Sequence, residues 1–262
     1  MRRLAPVLGL LTLVAVLAAG CGSGGALALD PVAAAATKTQ QAGTFAFDYT
    51  ASIQIFGHTV SLDGSGKTDT STGDGQMSLS FAGMPGAANA GAQMLIVDKT
   101  VYVQSSQLAG KLPSGKQWLK VDVSRLAAAK GQPLGSLNEI DPQQWLQQLL
   151  ASKNTQKLGT DTVQGETMTH YRATVDLSQA ARGKARDSLS QLGVSSLPVD
   201  IWVDAQGLVR QVQTSLSLSK QLQGTSFTLT FDMHDFGTPV SVTAPPADEV
   251  YDATSSLGSL GH

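Results

Sequence analysis

Residues 44–55 read Thr-Phe-Ala-Phe-Asp-Tyr-Thr-Ala-Ser-Ile-Gln-Ile, and this stretch decides the fold class. Apolar or aromatic side chains recur at every second position from Phe45 to Ile55, and polar or small residues lie between them. A period of two places successive side chains on opposite faces of a β-strand. The stretch is therefore predicted to form one long strand with an apolar face and a polar face.

The same alternation recurs along the chain, with turn-forming residues between its occurrences. Further strands are predicted around residues 77–81, 101–103, 171–175, 199–203, 216–218 and 227–233. Turns are predicted at residues 63–66 (Asp-Gly-Ser-Gly), 73–75, 98–99, 164–165 and 204–207. Strands with one apolar face, joined by turns, favour an antiparallel sheet with one face in solvent.

Four segments carry helix signals, so helices are available to cover the apolar face where a sandwich would use a second sheet. They are residues 30–41 with Asp30 and Pro31 at the start, residues 122–130, a segment that begins at Asp141-Pro142, and residues 176–192 followed by Gly193. The predicted fold class is α+β, a curved antiparallel sheet with helices over its apolar side.

The first 20 residues have the three parts of a secretory signal peptide. Arg2 and Arg3 precede an apolar run over residues 4–18, which is shorter than the roughly 20 residues that a membrane span needs. The run ends in Leu-Ala-Ala-Gly-Cys at residues 17–21, which resembles a bacterial lipobox, although Ala18 stands where that motif usually has Leu. We expect cleavage before Cys21 and acylation of Cys21, for example with palmitate. The alternative is an ordinary signal peptide followed by an incidental cysteine.

These features divide the chain into four parts. Residues 1–20 are the signal peptide, and residues 21–29, which consist of Cys, Gly, Ser, Ala and Leu, are a lipidated flexible tether. Residues 30–250 are expected to form one domain, and residues 251–262 a disordered tail. The expected location is the extracytoplasmic face of the cell membrane, where the protein is held by its lipid anchor.

The composition and motifs argue against several classes of function. Without residues 1–20 the chain has 16 basic and 20 acidic residues and no basic block, so nucleic acid is not an expected partner. Gly66-Lys67-Thr68 lacks the earlier glycine of a phosphate-binding loop, and no G-x-S-x-G motif occurs. Cys21 is the only cysteine, so it leaves no thiol for catalysis once acylated. No enzyme activity, cofactor or metal is therefore expected.

Two histidines and one tryptophan, His170, His234 and Trp202, lie on the polar side of their predicted strands, and His58 follows Gly57 at a predicted turn. His58, His170 and His234 lack the spacing of metal ligands and are interpreted as surface residues. Trp202 lies between Asp200 and Asp204 on a polar face, which is unusual for tryptophan. It is predicted to lie either under a covering element or at a bend in its strand.

Several stretches resemble a known family. Residues 117–121 (Gln-Trp-Leu-Lys-Val), 165–172, 197–204 and 235–240 resemble actinobacterial lipoproteins of the LppX/LprAFG type, within the LolA-like superfamily, and the similarity extends over about residues 30–250. The resemblance implies a half-barrel of about eleven antiparallel strands, with helices as a lid over an apolar cavity. It also implies an acylated lipid or glycolipid as ligand, for transport or presentation across the cell envelope.

The residues predicted to line the cavity lie on the apolar faces of strands and of one helix. They are Phe47, Tyr49, Ala51, Ile53, Leu79, Phe81, Val103, Trp145, Leu149, Ala173, Ile201, Leu216, Phe227 and Leu229. The same residues would also serve a solid core. The alternative function is therefore a sensor or scaffold without a lipid ligand, which binds an envelope protein partner at the outer face of the membrane.

The predicted anchor is tested by the substitution Cys21→Ser. Because the hydroxyl of serine cannot form the thioether that carries the diacylglyceryl group, this variant should lose acylation completely. Metabolic labelling with a clickable fatty acid measures it, and continued labelling of the variant would refute the anchor.

Overall fold

The computed structural model describes residues 30–55, 57–83, 90–130, 153–176, 194–217 and 224–259. The predicted helix at 141–150 and most of the one at 176–192 lie outside these residues, as do Cys21, Trp145 and Leu149. Asp176, the first residue of that second helix prediction, is the last residue of a strand.

The described residues form a single 12-stranded sheet with three α-helices. The strands are β1 Thr44–Ile55, β2 His58–Asp69, β3 Gly75–Ala82, β4 Ala90–Val97, β5 Thr100–Ser105, β6 Trp118–Asp122, β7 Lys153–Val163, β8 Glu166–Asp176, β9 Ser196–Val203, β10 Val209–Ser217, β11 Ser226–His234 and β12 Val250–Asp252. The helices are α1 Pro31–Gln41, α2 Val123–Lys130 and α3 Thr254–Ser259.

The order of strands across the sheet is β12-β6-β5-β4-β3-β2-β1-β11-β10-β9-β8-β7. Two meanders, β1 to β6 and β7 to β11, therefore meet where β1 pairs with β11. The predicted open, curved antiparallel sheet is confirmed. The resemblance implied about eleven antiparallel strands, and the structure instead has a twelfth, β12, which pairs in parallel with β6.

Helix α1 packs on one end of the apolar face. Asp30 caps it, since its side chain accepts hydrogen bonds from the backbone N–H groups of Val32 and Ala33 at 2.9 and 3.3 Å. The hydroxyl of Thr39, which is fully buried, accepts a hydrogen bond of 2.8 Å from the backbone N–H of Val209 on β10. The predicted helix is confirmed, and this bond fixes it to the sheet.

Two glycines in β2 correct the turn predicted at residues 63–66. Gly64 and Gly66 lie in the middle of β2, opposite Tyr49 and Phe47 of β1. A Cβ on Gly66 would lie 2.6 Å from Cζ of Phe47 and 2.5 Å from the carbonyl oxygen of Gln76. Because the rings of β1 lie over β2, glycine at these positions serves close packing, and the Asp-Gly-Ser-Gly sequence is not a turn.

The end of the chain also differs from the prediction of a disordered tail over residues 251–262. Val250–Asp252 is a strand and Thr254–Ser259 a helix. Asp252 accepts hydrogen bonds from the backbone N–H of Thr254 and from Nζ of Lys120, each at 3.0 Å. Hydrogen bonds from the side chain and backbone of Thr254, together with Lys120, lower the pKa of Asp252 to about 2. The local sequence did not predict this structure, because Lys120 and the rest of β6, with which β12 pairs, lie about 130 residues earlier in the chain.

The glycine packing predicts different effects for two alanine substitutions. Gly66→Ala should lower the free energy of unfolding by about 1–3 kcal/mol, because the added methyl group meets the ring of Phe47 and a backbone oxygen. Gly91→Ala is the matched control in β4, where the nearest atom to the new Cβ is 3.7 Å away, and it should be neutral or slightly stabilising. Urea denaturation measures both, and equal effects would refute this role of Gly66.

Candidate functional site

The apolar face of the sheet is the candidate site. The register aligns the alternating side chains of neighbouring strands, so that Phe47 lies between Gly66 and Met233 and Ala51 between Leu62 and Leu229. In the ten strands between the two edge strands, the described residues that pair across this face include no Asp, Glu, Lys or Arg. The exposed His58, which pairs with Ile55, is the one histidine among them. Such a surface favours apolar ligands or further core packing.

Burial along this face changes from one end of β1 to the other. Phe45 and Phe47 are nearly inaccessible at the end covered by α1, which we call the closed end. Further along the same strand Ala51 is half-buried and Ile53 is 37 % exposed. The apolar face therefore passes from a packed core into an accessible surface.

The accessible part is continuous across several strands. Cross-strand pairs join Ala51 to Leu229, Ile53 to Phe227, and Phe227 to Leu216. We call the residues of this part the open patch: Ala51, Ile53, Leu62, Phe81, Leu216, Phe227 and Leu229. An accessible apolar area that is continuous over several strands is typical of binding surfaces.

The predicted cavity residues divide between these two environments. Phe47, Tyr49, Ala173 and Ile201 are buried in the core cluster. Six others are half-buried or exposed: Ala51, Ile53, Phe81, Leu216, Phe227 and Leu229, all in the open patch. Leu79 and Val103 are half-buried on β3 and β5.

A groove of about 570 Å³ lies elsewhere on the sheet, between strands β3 to β5 and the segment 106–117. Ser78, Gln93 and Gln104 line it and belong to the polar face by register. Leu79 is the one predicted cavity residue among its described lining residues. Since polar-face residues line it and only one predicted cavity residue does so, this groove is not the predicted lipid site.

The polar face contains a side-chain network that the sequence did not predict. Both ring nitrogens of His170 lie 2.9 Å from carboxylate oxygens, Nδ1 from Asp161 and Nε2 from Asp200. Arg172 donates two hydrogen bonds of 2.9 Å to Asp200. Trp202 stacks on the His170 ring at 4.4 Å between centroids and donates its indole N–H to Asp161 at 2.9 Å.

This network corrects the interpretation of His170 as a surface histidine, because its side chain is only 15 % exposed. It also decides between the alternatives for Trp202, which is buried because His170 covers it. The pairing of β8 with β9 brings these residues together, since His170 is opposite Trp202 and Arg172 is opposite Asp200. The network could have been predicted only from this strand register. The side-chain nitrogens of His170, Arg172 and Trp202 are bonded to the carboxylates of the network itself. The network is therefore best suited to a structural role that joins β7, β8 and β9.

The ionisation of Asp200 follows from its neighbours. Burial opposes the charged form, but hydrogen bonds from Arg172 and His170 and their charges outweigh it, so that the pKa of Asp200 lies below its ordinary value. The described residues contain no group of three or more potential metal ligands. No helix within them is long and apolar enough to cross a membrane.

No protein-family model matches the chain. An uncharacterised 31.2 kDa protein of Streptomyces griseus is 28 % identical over 162 residues, which cover 56 % of this chain and 52 % of that protein. The chain thus spans about half the length of this relative. A protein of Streptomyces coelicolor, named as a lipoprotein, is 22 % identical over 222 residues, or 80 % of this chain and 70 % of that protein.

Two solved structures of mycobacterial proteins are similar to this chain. LprF from Mycobacterium bovis gives a TM-score of 0.48 at 14 % identity and covers 82 % of this chain and 95 % of its own. LppX from Mycobacterium tuberculosis gives a TM-score of 0.46 at 14 % identity and covers 82 % of this chain and 100 % of its own. LppX is described as a lipoprotein, and both names fall within the LppX/LprAFG type that the sequence resembles.

The His170 network predicts a pH-dependent stability. Because folding lowers the pKa of Asp200, its contribution is complete above the unfolded value of about 3.9 and is lost as the pH falls through the lower folded value. Asp200→Asn should therefore cost about 1–3 kcal/mol at pH 7 and reduce the difference in stability between pH 5 and pH 2. Thermal denaturation across this range measures it.

The control is Asp248→Asn, which changes an exposed carboxylate outside the network. It should leave stability at pH 7 within about 0.5 kcal/mol of wild type. A loss as large as that of Asp200→Asn would contradict the role assigned to the network.

Proposed function

We propose that this chain is a membrane-anchored extracytoplasmic lipoprotein that holds the acyl chains of a lipid or glycolipid against the open patch, for transport or presentation in the cell envelope. The observation that carries the proposal is the change in burial along the apolar face. One end is packed as a core, while the other presents Ile53, Phe227 and their neighbours as a continuous, uncharged and accessible surface.

The energetics of acyl chains suit this surface. Each CH₂ removed from water contributes about 0.8 kcal/mol, so a chain of about 16 carbons contributes on the order of 12 kcal/mol before the costs of association. The patch offers side chains from β1, β2, β3, β10 and β11, which gives such a chain contacts across several strands.

The sequence features near the N-terminus are consistent with this role. An acylated Cys21 followed by a short tether at residues 22–29 would hold the domain beside the membrane that contains its ligand. A lipid could then leave the bilayer for the open patch over a short distance.

Binding rather than catalysis is the proposed activity. The open patch consists of alanine, isoleucine, leucine and phenylalanine side chains, which provide neither a nucleophile nor an acid or base. We expect the purified chain to hydrolyse neither esters, glycosides nor peptides, and robust turnover abolished by one substitution would contradict this.

Two tryptophan substitutions compare a position in the buried core with a position in the open patch. Ala173 is 1 % exposed within the core cluster, so Ala173→Trp should overpack it and lower stability by about 1–3 kcal/mol or more. Ala51→Trp enters the half-buried open patch, so the ligand-free protein should melt close to wild type while lipid binding is weakened or lost. Thermal denaturation and native mass spectrometry of co-purified lipid provide the two measurements.

The wild type decides between the proposed function and its alternative. Co-purified lipid that is lost in Ala51→Trp supports the carrier. A wild type that carries and takes up no lipid, together with strong destabilisation of both variants, would favour a solid-core scaffold that binds a protein partner.

A further inference from the structure

Tyr49 places a phenol in the middle of the otherwise apolar face of β1. It lies between Phe47 at the closed end and Ala51 in the open patch, and it is 9 % exposed. Its ring lies over Gly64, where no side chain separates it from β2. The position and orientation of this phenol are therefore fixed by packing at the boundary between the core and the accessible surface.

The hydroxyl of Tyr49 has no hydrogen-bond partner among the residues that the structure describes. Two other buried hydroxyls beside the same core are satisfied, since Thr39 donates to the carbonyl of Ala35 and Thr214 to that of Pro198, both at 2.9 Å. The Tyr49 hydroxyl is not among the fully buried side-chain oxygens without a partner, so water can still reach it. A ligand that covers it without offering an acceptor would leave the donor unpaired, at a cost of about 1–3 kcal/mol. A ligand that brings an acceptor to this point avoids that cost.

The electrostatics indicate which acceptor fits. Burial, and then the carboxylate of Asp63, raise the pKa of Tyr49 to about 12, so the phenol is a neutral donor at physiological pH. The negative charge of Asp63 would oppose a carboxylate ligand at the same point. An uncharged carbonyl oxygen would accept the hydrogen bond without this repulsion.

We propose that the Tyr49 hydroxyl donates a hydrogen bond to an ester carbonyl of the bound lipid, whose acyl chains extend from that carbonyl along the open patch. This inference rests on the proposed function and deepens it. It makes Tyr49 a specificity-determining residue, which favours ester-linked lipids over ether-linked lipids and over free fatty acids.

A pair of matched lipids tests the hydrogen bond. Dioleoyl phosphatidylcholine and its di-O-oleyl ether analogue differ in the ester carbonyls, and each is titrated into the delipidated full chain in detergent. The wild type should bind the ester about threefold to tenfold more tightly, and Tyr49→Phe should remove most of that difference. Oleic acid should bind the wild type more weakly per acyl chain than the ester lipid does.

The control is Tyr102→Phe, which removes a phenolic hydroxyl from the polar-face register of β5. It should keep the preference for the ester lipid, and both variants should melt near wild type. If the wild type binds both lipids equally, or if Tyr49→Phe keeps the full preference, the inference is overturned while the proposed function stands. If the wild type binds no lipid at all, both are overturned.

Discussion

The packing of Phe47 and Tyr49 over Gly66 and Gly64 is the contact on which the rest of the sheet depends. Strand β1 joins the two meanders within the sheet, since it pairs with β2 on one side and with β11 on the other. The Phe47 ring also stacks on Phe231 of β11 at 5.1 Å between centroids. Aromatic side chains of one strand thus hold together both halves of the sheet, and glycines leave them the room to do so.

This arrangement gives the two ends of the apolar face different physical properties. At the closed end α1 and the rings exclude water, and side chains such as Val32 and Ile201 are fully buried. At the other end the same alternation continues without equivalent burial, which leaves Ile53 as an exposed apolar side chain. Stability and the proposed ligand binding can therefore reside on one sheet face, with Tyr49 at the boundary between them.

The polar face contributes specific links between strands as well as solubility. His170 lies between carboxylates of β7 and β9, and His234 of β11 has Asp48 of β1 at 3.1 Å and Asp235 at 3.0 Å from its two ring nitrogens. In each case one imidazole lies against two carboxylates and joins neighbouring strands. The His170 links stabilise the sheet edge at β7, and the His234 links stabilise the junction between β1 and β11. Neither set adds apolar surface.

The sequence by itself determined the local structure, because period and capping depend on neighbouring residues. The alternation at 44–55 gave β1, and Asp30-Pro31 gave the start of α1. Only the tertiary structure decided what depends on distant partners: that Gly64 and Gly66 lie under aromatic rings, that His170 is enclosed by Asp161 and Asp200, and that Asp252 is held by Lys120. The tertiary structure also showed that Ala173 is buried whereas Ala51 is only half-buried. The alternation of residues along a strand assigns each side chain to a face, but how deeply that side chain is buried depends on which strands and helices pack against it.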